Sequence, residues 1–284
     1  MRPYAFAGGT AVVTGAGSGI GEALARGLAT RGSHLVLVDQ HADRLERVAD
    51  DLGREHPAVR VRTVVADLSD HDATVALGVR LATEHPETTL LVNNAGVALG
   101  GNLAELELAE VEWLLEVNLR AVVSLTHGLL PVLRSHPGSH VVVVSSIFGI
   151  FASPGQVPYV TAKFGVRGFA EALRHELAGR VGVTVVHPGG VATRIAEDAR
   201  VGSGMDPRSF EVGRRRISRL LRIAPADAAE AILRAVERRR PRLLIGWVTA
   251  RLPDLLVRAF PGSYGTLVGR LSGTRADPRR VPRA

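Results

Sequence analysis

The chain contains no cysteine, which excludes disulfides, thiolate nucleophiles and cysteine-ligated zinc. Aromatic side chains are scarce at 4%, with two tryptophans, three tyrosines and seven phenylalanines. Lysine is almost absent: of 35 basic residues, all are arginine except Lys163. Ammonium and guanidinium are not interchangeable at a chemical site, so a sole lysine in an arginine background marks a position of interest. The start, Met1–Thr10, has neither a basic nor an apolar segment of the secretory kind, and a cytoplasmic protein is expected. One long run, Val141–Ala162, carries no formal charge. Gly149, Pro154, Gly155 and Pro158 interrupt it, so it reads as a buried strand and a loop rather than a bilayer-spanning helix.

What is present is enough apolar residue for one sizeable core: 284 residues, 46% hydrophobic. The expected organisation is a single domain over 1–246 with a C-terminal extension over 247–284. The net charge of +7 is uneven, with 17 basic and 21 acidic side chains in residues 1–200 but 18 and 7 in residues 201–284. Such an asymmetry is compatible with an anionic ligand, an anionic membrane surface or nucleic acid.

Strand-like and helix-like segments alternate throughout. Apolar runs at Thr10–Thr14, Leu35–Val38, Val59–Val65, Thr89–Val92, Val141–Val144, Val183–Val186 and Leu243–Ile245 read as buried strands. Helices are expected between them, including His41–Arg54, Asp70–Glu84, Pro158–Ala178, Ala226–Arg239 and a long one over Leu106–Arg134, bent near Pro131. This rhythm predicts an α/β fold with a doubly wound parallel sheet of the Rossmann type. Ligands of such sheets bind beyond the carboxyl ends of the strands, where the motifs fall.

The first strand runs into Thr14-Gly15-Ala16-Gly17-Ser18-Gly19-Ile20-Gly21. Glycines there let the backbone turn sharply and approach a pyrophosphate, which the N–H groups of the following helix start would stabilise. The spacing is TGxxxGxG rather than GxGxxG. Asp39 ends the second strand, 18 residues beyond Gly21. A carboxylate at that point accepts hydrogen bonds from ribose hydroxyls and repels a 2′-phosphate, so NAD is favoured over NADP.

These residues resemble the short-chain dehydrogenase/reductase family, and the resemblance extends in order from about Gly9 to Ile245. It implies that Gly15, Ser18, Gly19, Ile20 and Gly21 hold the cofactor phosphates, and that Asp67, with Leu68, lines the adenine site. It further implies that Asn94, Ala95 and Gly96, in the Asn93–Gly96 turn, border the cofactor. Pro188, Val191 and Thr193, in His187–Thr193, are implied to clamp the nicotinamide carboxamide. Ser146 matches the serine that polarises the substrate carbonyl, and Asn118 the asparagine that positions a water for proton relay to the lysine.

Tyr159 and Lys163 form a YxxxK motif on a helix that Pro158 is placed to open. Four residues apart, phenol and ammonium share a helix face. Three tyrosines and one lysine would meet this spacing by chance about 1% of the time. A free phenol titrates near 10, and a neighbouring cation is expected to lower that value. The implied chemistry is hydride transfer between NAD and the carbon of a lipophilic secondary alcohol or ketone, with Tyr159 as acid and base and Lys163 also reaching the ribose. No histidine shows metal-ligand spacing, so no metal is expected; His71, His85, His127, His136, His140 and His175 read as surface or loop residues.

Residues 193–225 correspond to the family's mobile substrate lid, here rich in arginine: Arg208, Arg214, Arg215, Arg216, Arg219 and Arg222. Val97, Phe148, Ile150, Phe151 and Phe210 are the candidate apolar pocket. In Leu243–Leu271, apolar residues alternate with arginines, and Pro253, Pro261 and Gly262 cut the stretch into short pieces. These pieces could lie on an anionic membrane surface, cover a neighbouring subunit, or close the pocket mouth; Arg275–Ala284 reads as disordered. The family commonly assembles as dimers or tetramers through helices corresponding to Leu106–Arg134 and Pro158–Ala178. Two rivals remain: an NADPH-dependent ketoreductase of an anionic or thioester-linked substrate, and a redox-silent NAD-binding scaffold whose tail binds membrane or nucleic acid. No pattern of interleaved aromatic and basic residues accompanies the arginines, which argues against nucleic acid.

Overall fold

In the computed structural model, residues 1–219 and 221–265 are described. Seven strands form one parallel sheet: β1 (Thr10–Thr14), β2 (His34–Asp39), β3 (Val61–Val65), β4 (Thr88–Asn93), β6 (His140–Val144), β7 (Gly182–Pro188) and β9 (Arg242–Ile245). Their order is β3-β2-β1-β4-β6-β7-β9, so the winding reverses between β1 and β4. A crevice opens at such a reversal, and the turns that follow β1 and β4 border it. A parallel ribbon, β5 (Leu99–Gly100) with β8 (Arg200–Val201), lies apart from the sheet.

The central strands are buried along their whole length, as a sheet covered on both faces requires. Alternate residues feed two cores. Ala11, Val13, Val142 and Val144 pack with α1 (Gly19–Thr30), α2 (Ala42–Glu55) and α8 (Pro225–Glu237). Val12, Val141 and Val143 pack with α3 (His71–Glu84), α5 (Ala121–Ser135) and α6 (Val157–Glu176). The strand and helix expectations hold to within about two residues, and the uncharged run from Val141 resolves into β6, a loop and the start of α6. Among the described residues no helix is long and apolar enough to cross a membrane.

Four expectations need correction. The helix expected over Leu106–Arg134 is interrupted not at Pro131 but at Glu116–Arg120, a π-helical turn between α4 (Leu108–Leu115) and α5. Glu116, buried in that turn, pairs with His71 Nδ1 at 2.8 Å and Arg120 Nη1 at 3.1 Å, while Pro131 sits inside α5 without ending it. Second, Pro253 does not cut the chain; it lies in the first turn of α9 (Leu252–Ala259), where a missing N–H costs nothing. Third, His140 is no surface residue but fully buried on β6, its Nε2 2.8 Å from Thr184 Oγ1. Fourth, the lid, which includes α7 (Pro207–Ser218), is less openly cationic than its composition suggests, because Arg214 and Arg215 both bond Glu211. Leu267, Val268, Arg270, Leu271 and Arg275–Ala284 lie outside the described residues, as does the side chain of Arg216.

Helices α3 and α5 pack tightly where Gly78 faces Gly128. A Cβ on Gly128 would lie 2.6 Å from the Gly78 carbonyl carbon, so the two helices meet backbone to backbone. Gly128→Ala is therefore expected to lower stability by about 2 kcal/mol through forced separation of these helices. Urea unfolding checks this, and an unchanged midpoint would show that the crossing yields easily.

Candidate active site

The site is assembled at the switch point from four segments. The loop after β1 enters α1 through Ser18, whose side chain does not cap the helix, so the first-turn N–H groups face the crevice uncapped. Gly15 and Gly19 have φ of +66° and +57°, a region that side-chain-bearing residues rarely adopt. Gly21 does not line the cleft but makes it: a Cβ there would overlap the Gly15 carbonyl and press on Asn94 Nδ2. Asn94 in turn donates to Thr14 O at 2.9 Å, and Thr14 Oγ1 accepts from the N–H groups of Asn94 and Ala95 at 3.0 Å each. The turns after β1 and β4 are thus tied into one floor.

A cleft of about 700 Å³ runs over this floor. Of the expected cofactor residues, Gly15, Ser18, Gly19, Ile20, Asp39, Asp67, Leu68, Asn94, Ala95, Gly96, Pro188, Val191 and Thr193 all border it, as do Ser146, Tyr159 and Lys163. Asp39 is held by two backbone donors, Gly17 N at 2.9 Å and His41 N at 3.0 Å, which fixes its carboxylate at the cleft edge. Asp67 Oδ1 accepts from Ser69 N at 2.9 Å. Asn118 does not border the cleft. It is fully buried in the π turn, with Oδ1 accepting from Val97 N at 2.9 Å and Nδ2 donating to Val97 O at 2.8 Å. This pairing pins the strand-to-loop exit beside Gly96, whose backbone also lies against Lys163.

On α6 the buried stripe reads Tyr159, Ala162, Lys163, Val166, Ala170, Leu173. A lysine in a core stripe is unusual, and this one is only 4% exposed. Its Nζ donates to Val144 O at 3.3 Å and lies 5.5 Å from the Tyr159 ring centroid. Phe148 meets the same ring edge-on at 6.0 Å and 85°. Ser146, at the end of β6, opens a short 3₁₀ turn by accepting from Phe148 N at 3.2 Å.

The electrostatics differ from the sequence-based expectation. Burial pushes the Tyr159 phenol up to about 12, with a hydrogen bond to Ser146 opposing the rise, and burial pulls the Lys163 ammonium down to about 8. A neighbouring cation alone would lower the phenol; here loss of hydration is the largest cause at both groups, and what opposes it at the phenol is Ser146. At neutral pH the pair is a protonated phenol beside an ammonium.

Two supports give no sequence signal. His187 Nδ1 lies 2.9 Å from Ser146 O; the ring is fully buried, and burial lowers its pKa to about 4. Ser145 Oγ donates to Lys163 O at 2.8 Å. Of the candidate pocket residues, Val97, Phe148 and Phe210 line the cleft. Ile150 instead is buried in the core, and Phe151 turns away toward Tyr264, its ring centroid at 5.6 Å. A 3₁₀ turn permits only some of its side chains to face the same way. Among the described residues no cluster of three metal-ligating side chains occurs.

A parallel sheet with its glycine-lined crevice at the switch point, and a buried phenol and ammonium beside it, defines a dinucleotide-dependent oxidoreductase. The profile of the family described as short chain dehydrogenase matches residues 9–203, and the chain belongs to that family of oxidoreductases. It is 38% identical over 269 residues to the oxidoreductase SadH of Mycobacterium tuberculosis, covering 93% of this chain and 95% of that one. It is 30% identical over 278 residues to dehydrogenase/reductase SDR family member 7B of Xenopus laevis, covering 94% and 82%. Among solved structures it is similar to a short-chain dehydrogenase/reductase from Burkholderia phymatum in complex with NAD, with TM-score 0.79, 27% identity and coverage of 94% and 96%. A Sphingobium yanoikuyae short-chain dehydrogenase in complex with NADPH aligns with TM-score 0.73, 26% identity and coverage of 97% and 99%.

The low ammonium pKa has a kinetic consequence. Lys163 carries its charge below about 8 and loses it above. If that charge assists proton transfer, kcat/KM for carbonyl reduction is flat below pH about 8 and falls above it. In Lys163→Arg the guanidinium stays charged, so the inflection disappears together with most of the activity. A wild-type profile in that variant would contradict the assignment.

Proposed function

We propose that this chain transfers hydride between NAD(H) and the carbon of a lipophilic secondary alcohol or ketone, with Tyr159 as the proton donor and acceptor. The observation that carries this reading is the convergence of Tyr159, Ser146 and Lys163 on one cleft wall beside the glycine floor. The fit for a dinucleotide rests on the uncapped start of α1, the left-handed Gly15 and Gly19, and the fixed carboxylate of Asp39. Gly15, Ser18, Gly19 and Ile20 would hold the diphosphate over the turn that Gly21 allows, Asp39 the adenosine ribose, Asp67 and Leu68 the adenine, and Pro188, Val191 and Thr193 the nicotinamide end. When bound, the nicotinamide supplies or accepts the hydride.

The chain's own residues do the rest. Ser146 holds the substrate oxygen and stabilises charge that develops on it. Tyr159, protonated at neutral pH, donates to that oxygen in reduction. Lys163 steadies the phenolate left behind, an interaction strengthened by the low dielectric of the wall. Oxidation runs these steps in reverse. Asn118 holds the loop at Val97 and Gly96 against Lys163; with its amide engaged by Val97, it acts on the ammonium through that loop.

NAD is favoured because a second negative group, the ribose 2′-phosphate, would face the Asp39 carboxylate. Arg44, a cation bordering that end of the cleft, is engaged by Asp198 at 3.3 Å. Assembly is proposed across α5 and α6, where Val123, Val157 and Phe164 are exposed. Peripheral membrane contact is proposed at the C-terminal side, where Trp247, Leu252, Leu255 and Phe260 are exposed on and around α9 beside Arg251 and Arg258.

Tyr159→Phe is expected to abolish turnover, by at least about 10³-fold, while leaving NADH affinity within about twofold. Fluorescence titration of NADH alongside an absorbance assay separates the two, and wild-type rates would remove tyrosine from the mechanism. In the same assay kcat/KM should favour NADH over NADPH by about tenfold or more, and Asp39→Ala should narrow that ratio. A preference for NADPH would reverse the cofactor assignment.

A further inference from the structure

We propose that the substrate's lipophilic body ends in a carboxylate, and that Arg200, stacked on Trp113 at the cleft mouth, is the side chain that recognises it. This rests on the oxidoreductase reading above and goes further by naming the substrate class.

Among the described residues four arginines border the cleft: Arg44, Arg194, Arg200 and Arg214. Three are engaged by carboxylates, Arg44 and Arg194 sharing Asp198 at 3.3 and 3.1 Å and Arg214 bonding Glu211 at 2.8 Å. Among the described residues Arg200 forms no ion pair and its side chain makes no hydrogen bond; its guanidinium carbon instead lies 3.6 Å from the Trp113 ring centroid. Stacking holds the guanidinium through its face and leaves the in-plane N–H fork free, the part that binds a carboxylate in bidentate fashion. The acid nearest in influence, Glu110, is already engaged by Glu107 N at 2.9 Å and by Ser203 N and Oγ at 3.0 Å each.

The surroundings fit a body with one charged end. Arg200 lies on β8, which pairs with β5, and Leu99, Gly100 and Arg200 of this ribbon all border the cleft. The lining also includes Trp113 under Arg200, Phe148 against the Tyr159 ring, and Met205 and Phe210 near Gly100 of β5, which would cover an apolar chain or ring. Among the described residues of the cleft one guanidinium is unpaired, which suits a monoanion; a phosphate-bearing carrier would call for several cations. The reacting oxygen would then sit between Ser146 and Tyr159 with the carboxylate at the mouth, where both ends meet polar partners.

The test is calorimetric titration of the full chain, with NAD present, using decanoate and methyl decanoate, paired with a separate assay of the NADH-driven reduction of 9-oxodecanoate and its methyl ester. Decanoate should bind about fivefold more tightly than the ester, and the oxo acid should show a similar advantage in kcat/KM. Arg200→Met, which keeps the apolar stem, should erase both preferences. Equal binding of acid and ester, or a preference that survives Arg200→Met, overturns the proposal. If the acid preference appears but no ketone is turned over, the carboxylate site stands and the hydride-transfer reading falls. Turnover of both ketones without an acid preference keeps hydride transfer and removes the carboxylate site.

Discussion

Two ionisable groups that water would ordinarily claim, the Tyr159 phenol and the Lys163 ammonium, lie in the buried stripe of α6. Core positions are normally apolar because dehydrating a charge is expensive. Here the stripe is Tyr159, Ala162, Lys163, Val166, Ala170 and Leu173, and the charge is placed against Val144 O and the aromatic ring rather than against a carboxylate. Everything that holds the site serves this placement. Ser145 fixes the lysine's backbone, His187 fixes that of Ser146, Asn118 fixes the Val97 exit, and the parallel sheet sets these elements side by side.

The same burial gives the pair its chemistry. A phenol raised to about 12 keeps its proton at neutral pH, and an ammonium lowered to about 8 stays charged near neutrality yet close to release. In the proposed reaction, proton transfer out of the phenol would create an anion next to a cation in a weakly screening wall, where attraction is strongest. Under that proposal the stabilisation comes as charge develops rather than beforehand.

Much of this is legible in the sequence because it depends on local rules. Uninterrupted Val and Leu runs such as Val141–Val144 mark strands covered on both faces, and glycines at 15, 19 and 21 mark the floor between β1 and α1. The spacing of Tyr159 and Lys163 puts them on one helix face. What is not legible depends on tertiary surroundings. No local pattern distinguishes a π turn at Glu116–Arg120 from a bend at Pro131, since the turn is set by contacts with His71, Arg120 and Val97. Nor does composition reveal which arginines are neutralised: Arg214 and Arg200 look alike in sequence, yet one is paired with Glu211 and the other lies on Trp113. The direction of the Tyr159 shift is hidden in the same way, because a neighbouring cation is visible in a motif and the depth of burial is not.

Because Lys163 is the sole lysine, labelling with nitrogen-15 lysine gives a single ammonium resonance that reports the pair without ambiguity. A buried ammonium beside the phenol predicts a resonance that titrates near pH 8 and shifts when NAD is added. Titration at the ordinary lysine value near 10.4, unmoved by the dinucleotide, would place the ammonium in water and contradict its role in the site.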